Sequence, residues 1–206
     1  MAESFPIGVL VSGRGTNLMA IHAAIASGAL AARIAAVCSN RPEAPAVAWA
    51  RQRDLPVALF PRRDYPSRTA AQEAMAAHLQ TAAVRLVVLA GWDQLLVPTF
   101  VAAFSGRILN VHPSLLPAFA GTMHAVDDAL AYGVKVTGVT VHYVTEDLDA
   151  GPIVLQAAVP VLDEDTPASL LERLHEQEHQ LLPRAIALHA AGRLRIEGRR
   201  VRITEY

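Results

Sequence analysis

The sequence is short of several features that would assign it to a class at once. It holds one cysteine, Cys38, so no internal disulfide can form. That residue closes the apolar run Ile34-Ala35-Ala36-Val37-Cys38 and reads as a buried structural thiol. There is no basic block: 18 Lys and Arg face 19 Asp and Glu, for a net charge of −1, which gives no reason to expect a nucleic-acid partner. No apolar run is long enough to span a bilayer, and the N-terminus lacks the basic-then-apolar form of a leader. A soluble cytoplasmic protein, off the membrane, is the expectation. The eight histidines do not recur at metal-ligand spacing. His22, His78 and His189 read as structural or surface residues, and no metal is expected. Without a linker or an internal repeat, 206 residues predict a single domain over 1–206 with one substantial core.

What is present is an alternation of short apolar runs and helical stretches. Pro6 to Val11 reads as a buried strand. The turn Ser12-Gly13-Arg14-Gly15-Thr16-Asn17 follows, and Leu18 to Ala26 continues as a helix. A glycine-rich turn at a helix N-terminus offers backbone N–H groups and a positive dipole end to an anion. The third glycine of a dinucleotide fingerprint is absent, with Leu18 in its place, and so is the Walker Gly-Lys-Ser/Thr ending. A phosphate on a small ligand therefore fits better than a dinucleotide or a nucleoside triphosphate.

Ile34 to Cys38, Val57 to Phe60 and Leu86 to Ala90 are further strands, the last apolar throughout as in a central parallel strand. Helices are expected over Glu43 to Arg53, after an N-cap at Ser67 to about Thr81, and over Thr99 to Phe104. The Leu86 run breaks at Gly91-Trp92-Asp93-Gln94 and resumes as Leu95-Leu96-Val97-Pro98. Strands alternating with helices predict right-handed crossovers and the α/β class: an open, mostly parallel twisted sheet with helices on both faces. After Pro117 come a helix over Ala125 to Ala131 and a Val- and Thr-rich strand over Lys135 to Tyr143. Gly151 to Gln156 begins another strand, Asp165-Thr166 caps a long helix from Pro167, and a hairpin turns at Gly198. Antiparallel additions thus gather toward the C-terminus.

Chemistry concentrates at Asn110-Val111-His112-Pro113-Ser114-Leu115-Leu116-Pro117, where a β-run ends in two polar side chains and is stopped by proline. Alternation places Asn110 and His112 on one face, at the carboxyl end of a strand, where open α/β proteins bind ligands. Asp149 precedes Ala150-Gly151-Pro152, a turn tight enough to aim its carboxylate inward. On the last helix Leu171, Leu174, Leu181, Leu182 and Ala185 form an apolar stripe. Glu178 falls on that stripe, which is costly unless it has partners.

Together these segments resemble the glycinamide ribonucleotide formyltransferase family, folate-dependent enzymes of purine synthesis. The carriers are Ser12 to Leu18, Val88 to Gly91, Leu109 to Pro117, Gly138-Val139-Thr140-Val141-His142, Leu148 to Pro152 and Glu176-Gln177-Glu178-His179. The resemblance implies transfer of the formyl group of 10-formyltetrahydrofolate to the amine of glycinamide ribonucleotide, with room for a homodimer. It also implies residue roles. Asn110, His112 and Asp149 would be catalytic. Gly15, Thr16 and Asn17 would hold the phosphate, and Glu178 the ribose. Trp92, Gln94, Leu95, Leu96 and Val144 would enclose the pteridine, with Arg68 near the glutamate tail. Asn110 and a protonated His112 would stabilise the oxyanion while Asp149 helps carry off the amine proton. Gln94 stands where the family commonly has arginine, and Trp92-Asp93 replaces a Phe-Met pair. Ala120 replaces a proline, and one extra residue before His124 means that this histidine matches only with a one-residue shift. The competing expectations are a formyltetrahydrofolate hydrolase, which normally carries an added N-terminal regulatory domain, and a non-catalytic phospho-ligand module. Methionyl-tRNA formyltransferases add a C-terminal barrel for which too few residues remain.

Overall fold

The structure is a computed structural model that describes residues 4–204. It divides into two compact units, one running to Leu109 and the other from Asn110.

In the first unit, β1 (Phe5–Val11), β2 (Ala32–Ser39), β3 (Val57–Leu59) and β4 (Leu86–Leu89) lie in the order β3-β2-β1-β4, all parallel. Every residue of β1 and β4 is buried, which is what continuous apolar strands covered on both faces require. From β1 the chain steps outward through β2 to β3 and returns to the other side of β1 at β4. That reversal opens a crevice at the carboxyl ends of β1 and β4, where doubly wound sheets bind ligands. The linking helices are α1 (Thr16–Ala26), α2 (Pro45–Arg51), α3 (Arg68–Thr81) and α4 (Pro98–Ala103), with a 3-10 turn at Arg62–Asp64.

Several boundaries differ from the sequence expectation by a residue or two, and three departures have a clear local reason. Helix α1 starts two residues earlier, because Gly15 in the left-handed region serves as its N-cap. Helix α2 starts at Pro45, whose fixed φ and missing N–H suit the first helical position. The apolar stretch Leu95 to Pro98 does not resume a strand. Its backbone is satisfied instead by a buried side chain: Gln72 Nε2 donates to the Leu95 carbonyl at 2.9 Å, and Gln72 Oε1 accepts from Val97 N at 2.7 Å. Ser67 caps α3 as expected, accepting from Ala70 N. Cys38 is fully buried, and burial pushes its thiol up to about 12, consistent with an inert structural role.

The division between the units falls inside β5 (Ile108–His112), so Asn110-Val111-His112 open the second unit. There follow α5 (Ala125–Tyr132), β6 (Val136–Tyr143), β7 (Ile153–Pro160), α6 (Pro167–Ala190), β8 (Leu194–Glu197) and β9 (Arg200–Ile203), with strand order β5-β6-β7-β9-β8. β6 and β7 pair antiparallel, as do β8 and β9 in the hairpin around Gly198. Helix α6 packs on β6 and β7 and starts with a reciprocal cap between Thr166 and Ser169. Its buried stripe runs Leu170, Leu174, Glu178, Leu181, Leu182, Ala185 and Ile186. Leu170 takes the core position expected of Leu171, one i−4 step from Leu174. Leu171 lines an open groove with Pro113, Ala125 and Pro167. Among the described residues no helix is long and apolar enough to cross a membrane.

Candidate active site

In the second unit, alternation along two strands and one tight turn bring four polar side chains together. Strand β5 supplies Asn110 and His112, β6 supplies His142, and the turn before β7 supplies Asp149. Gly151 makes the turn possible: a Cβ there would lie 1.7 Å from the Tyr143 carbonyl oxygen, so only glycine lets the chain fold back onto the end of β6. Asp149 itself adopts φ 50°, a left-handed conformation that Asp tolerates better than most residues. The turn therefore aims its carboxylate inward, as the sequence suggested. Asp149 Oδ2 lies 3.6 Å from His112 Nδ1, and Oδ1 lies 3.7 Å from His142 Nε2. The Gly121 backbone N–H donates to Oδ2 at 2.9 Å. The side chains of His112, His142 and Asp149 are all at most 7% exposed.

The hydrogen bonds settle which atoms donate. His142 Nδ1 faces the Tyr143 carbonyl at 2.9 Å, so the ring proton sits there and Nε2 is an acceptor. Asn110 Nδ2 then donates to that Nε2 at 3.2 Å, which leaves its second hydrogen for another acceptor. Burial lowers the His142 pKa, only partly opposed by the Tyr143 carbonyl and Asp149, while His112 lowers it further. A neutral ring is what the Asn110 bond needs. His112 Nε2 donates to the Phe119 carbonyl at 2.9 Å, so its outward donor is engaged within the protein. Thr140, two residues before His142 on the same face, donates to the Ser114 carbonyl and accepts from Leu116 N. This holds the turn that follows His112. His142 and Thr140 were not singled out from the sequence, although polar residues two apart in a valine-rich strand were a usable signal. His124 caps α5 on the surface, 3.9 Å from Asp127.

Glu178 is 5% exposed on the inner face of α6, as its place on the stripe required. His179 beside it has its pKa lowered by burial. Val144 is half-buried just after β6.

In the first unit, Gly15, Thr16 and Asn17 open α1. Gly15 has φ 79° and makes no side-chain cap, and the first turn of α1 that it opens carries the positive end of the helix dipole. A Cβ on Gly15 would sit 2.6 Å from the Ala46 Cβ, so this glycine is needed by the packing of α2 whatever the loop binds. Trp92, Gln94 and Leu96 are half-buried in the stretch after β4, and Leu95 is exposed. Arg68, the first residue of α3, is exposed. Among the described residues no group of three His, Cys, Asp or Glu could hold a metal ion.

The profile of a family described as formyl transferase matches residues 6–186. The chain belongs to the formyl transferase family. Within that family it is 46% identical over 191 residues to a phosphoribosylglycinamide formyltransferase of Mycobacterium tuberculosis, covering 93% of this chain and 87% of that protein. Its fold matches the crystal structure of glycinamide ribonucleotide transformylase 1 from Symbiobacterium toebii with a TM-score of 0.96 and 49% identity, over 100% of this chain and 96% of that one. A formyltetrahydrofolate deformylase from Pseudomonas syringae shares the fold at a TM-score of 0.91 but only 26% identity, over 99% of this chain and 67% of that one. The mostly parallel mixed sheet with helices on both sides and antiparallel strands toward the C-terminus is thus the formyl transferase fold, in agreement with the sequence reading.

Proposed function

We propose that this chain transfers the formyl group of 10-formyltetrahydrofolate to the amine of glycinamide ribonucleotide, a step of purine synthesis, as a single formyltransferase domain. The observation that carries the reading is the convergence of two buried imidazoles on the Asp149 carboxylate, with Asn110 bonded to one of them. Family membership, relatives named for this activity and a family match that runs without a break through both compact units support it.

The amine attacks the formyl carbon, so negative charge grows on the formyl oxygen and positive charge on the attacking nitrogen. The spare Asn110 amide hydrogen is aimed by its bond to neutral His142 and stabilises the oxyanion. His112 joins it when Nε2 exchanges the Phe119 carbonyl for the formyl oxygen. Asp149 takes the proton from the amine, directly or through a water. The carbon–nitrogen bond to the folate then breaks, and the proton is delivered to the leaving nitrogen. Gly15, Thr16 and Asn17 hold the ribonucleotide phosphate and Glu178 its ribose. Trp92, Gln94, Leu95, Leu96 and Val144 contact the pteridine, and Arg68 the glutamate tail.

The test is an assay in which the ribonucleotide and the 10-formyl folate are each omitted in turn. Deformylation of the folate only when the ribonucleotide is present is the expected result. Equal turnover without it would make the chain a hydrolase, the activity named for the Pseudomonas syringae neighbour.

A further inference from the structure

The carboxyl ends of three adjacent parallel strands in the first unit are joined by a closed ring of hydrogen bonds. Ser12 follows β1, Asn40 follows β2, and Asp93 lies in the stretch after β4. Ser12 Oγ donates to Asn40 Oδ1 at 2.7 Å, Asn40 Nδ2 donates to Asp93 Oδ1 at 2.8 Å, and the Asp93 backbone N–H donates to Ser12 Oγ at 3.1 Å. Beside the ring, Ser12 N donates to the Gly91 carbonyl at 3.0 Å. Arg41 forms an ion pair with the other Asp93 oxygen. Ser12 is 5% exposed, and the Asp93 side chain 23%, so the ring is shielded while the Arg41 guanidinium, 56% exposed, stays wet. Gln72 fixes the far end of the same stretch at Leu95 and Val97. The segment from Gly91 to Val97 has no ladder of its own, yet it is pinned at both ends.

We infer that Asp93 is a positioning residue: through Ser12 and Asn40 it ties the 91–97 segment to the glycine turn across the β1–β4 crevice, so that Trp92 and Gln94 are ordered before a ligand arrives. Each of Ser12, Asn40 and Asp93 makes two of the ring's bonds, so the 91–97 segment cannot shift at Asp93 without breaking two of them. Loss of the Asp93 carboxylate removes the acceptor for Asn40 and the partner of Arg41 together. Pre-ordering lowers the cost of binding without changing the chemical step, so its loss falls on KM rather than kcat. The assignment of the co-substrate to this segment rests on the function proposed above. The ordering itself does not.

The test uses Asp93→Ala and Asp93→Asn in a Trp49→Phe background, which leaves Trp92 as the only tryptophan. Acrylamide quenching of Trp92 should rise severalfold in Asp93→Ala, and the KM for the 10-formyl folate by about tenfold with kcat held within about threefold. Asp93→Asn keeps an oxygen for Asn40 and loses only the half-exposed pair with Arg41, which is worth little, so it should restore both readouts. Unchanged quenching in Asp93→Ala overturns the inference, and so does an asparagine variant as impaired as alanine. Should Asp93→Ala fail to fold, Asn40→Ala opens the same ring from the other side and is read identically. If the parent protein transfers no formyl group, the functional reading falls, while the quenching contrast still decides the role of Asp93.

Discussion

The carboxylate of Asp149 stands between two histidines, 3.6 Å from His112 Nδ1 and 3.7 Å from His142 Nε2, in a pocket of side chains almost closed to solvent. The Gly121 amide donates to it at 2.9 Å. Both imidazole distances are too long for a direct hydrogen bond. Asp149→Asn preserves shape and the Gly121 contact but removes the charge. The expected outcome is a folded protein with normal ribonucleotide affinity and a transfer rate lower by roughly 10²–10⁴-fold. Near-normal turnover in that variant would take Asp149 out of the mechanism.

His142 predicts a pH dependence of stability. Its folded pKa lies below the ordinary 6.5, chiefly because of burial. The unfolded chain therefore binds the proton first as pH falls. The stability is intact above about 6.5 and declines below it until the folded group titrates as well. His142→Asn should flatten this acid limb by up to about 1.4 kcal/mol per pH unit. His179, also lowered by burial, should keep part of the slope. Urea midpoints measured from pH 7.5 to 5 on both proteins check this, and superimposable limbs would contradict it.

The two glycines of the first turn separate packing from ligand binding. Gly15 has φ 79° and no room for a Cβ beside Ala46. Gly15→Ala should therefore destabilise the fold by about 1–3 kcal/mol whatever the turn binds. A Cβ on Gly13 would meet nothing within 4 Å. Gly13→Ala should leave the melting temperature unchanged and weaken ribonucleotide binding in calorimetry. Full affinity in Gly13→Ala would move the phosphate away from this turn.

Glu178 is tested by reading two quantities on one variant. If its carboxylate serves the ribose, Glu178→Gln should weaken ribonucleotide binding by roughly tenfold to a hundredfold at little cost in melting temperature. A lower melting temperature with unchanged affinity would instead make Glu178 a support of the α6 stripe.

Much of this was legible in the chain because it followed from periodicity. Alternation put Asn110 and His112 on one face, and the i+4 step put Glu178 at a buried position. Gly151 and Pro152 marked the turn that aims Asp149. What was not legible depends on long-range hydrogen bonds that leave no local pattern. Gln72 reads as one more polar residue on α3 until its amide is seen satisfying the backbone at Leu95 and Val97. Asp93 reads as a departure from a familiar motif until Ser12, Asn40 and Arg41 are found around it. The tautomer of His142, and with it the orientation of Asn110, depends on one carbonyl at Tyr143. No sequence rule supplies that contact.

The most direct test of the account follows the carbon itself. The protein is mixed with glycinamide ribonucleotide and a folate carrying a ¹³C-labelled formyl group, and the products are read by NMR. The account predicts that the label appears as the N-formyl amide of the ribonucleotide, at a rate that falls with Asp149→Asn. Label released as free formate, at the same rate with or without the ribonucleotide, would contradict it.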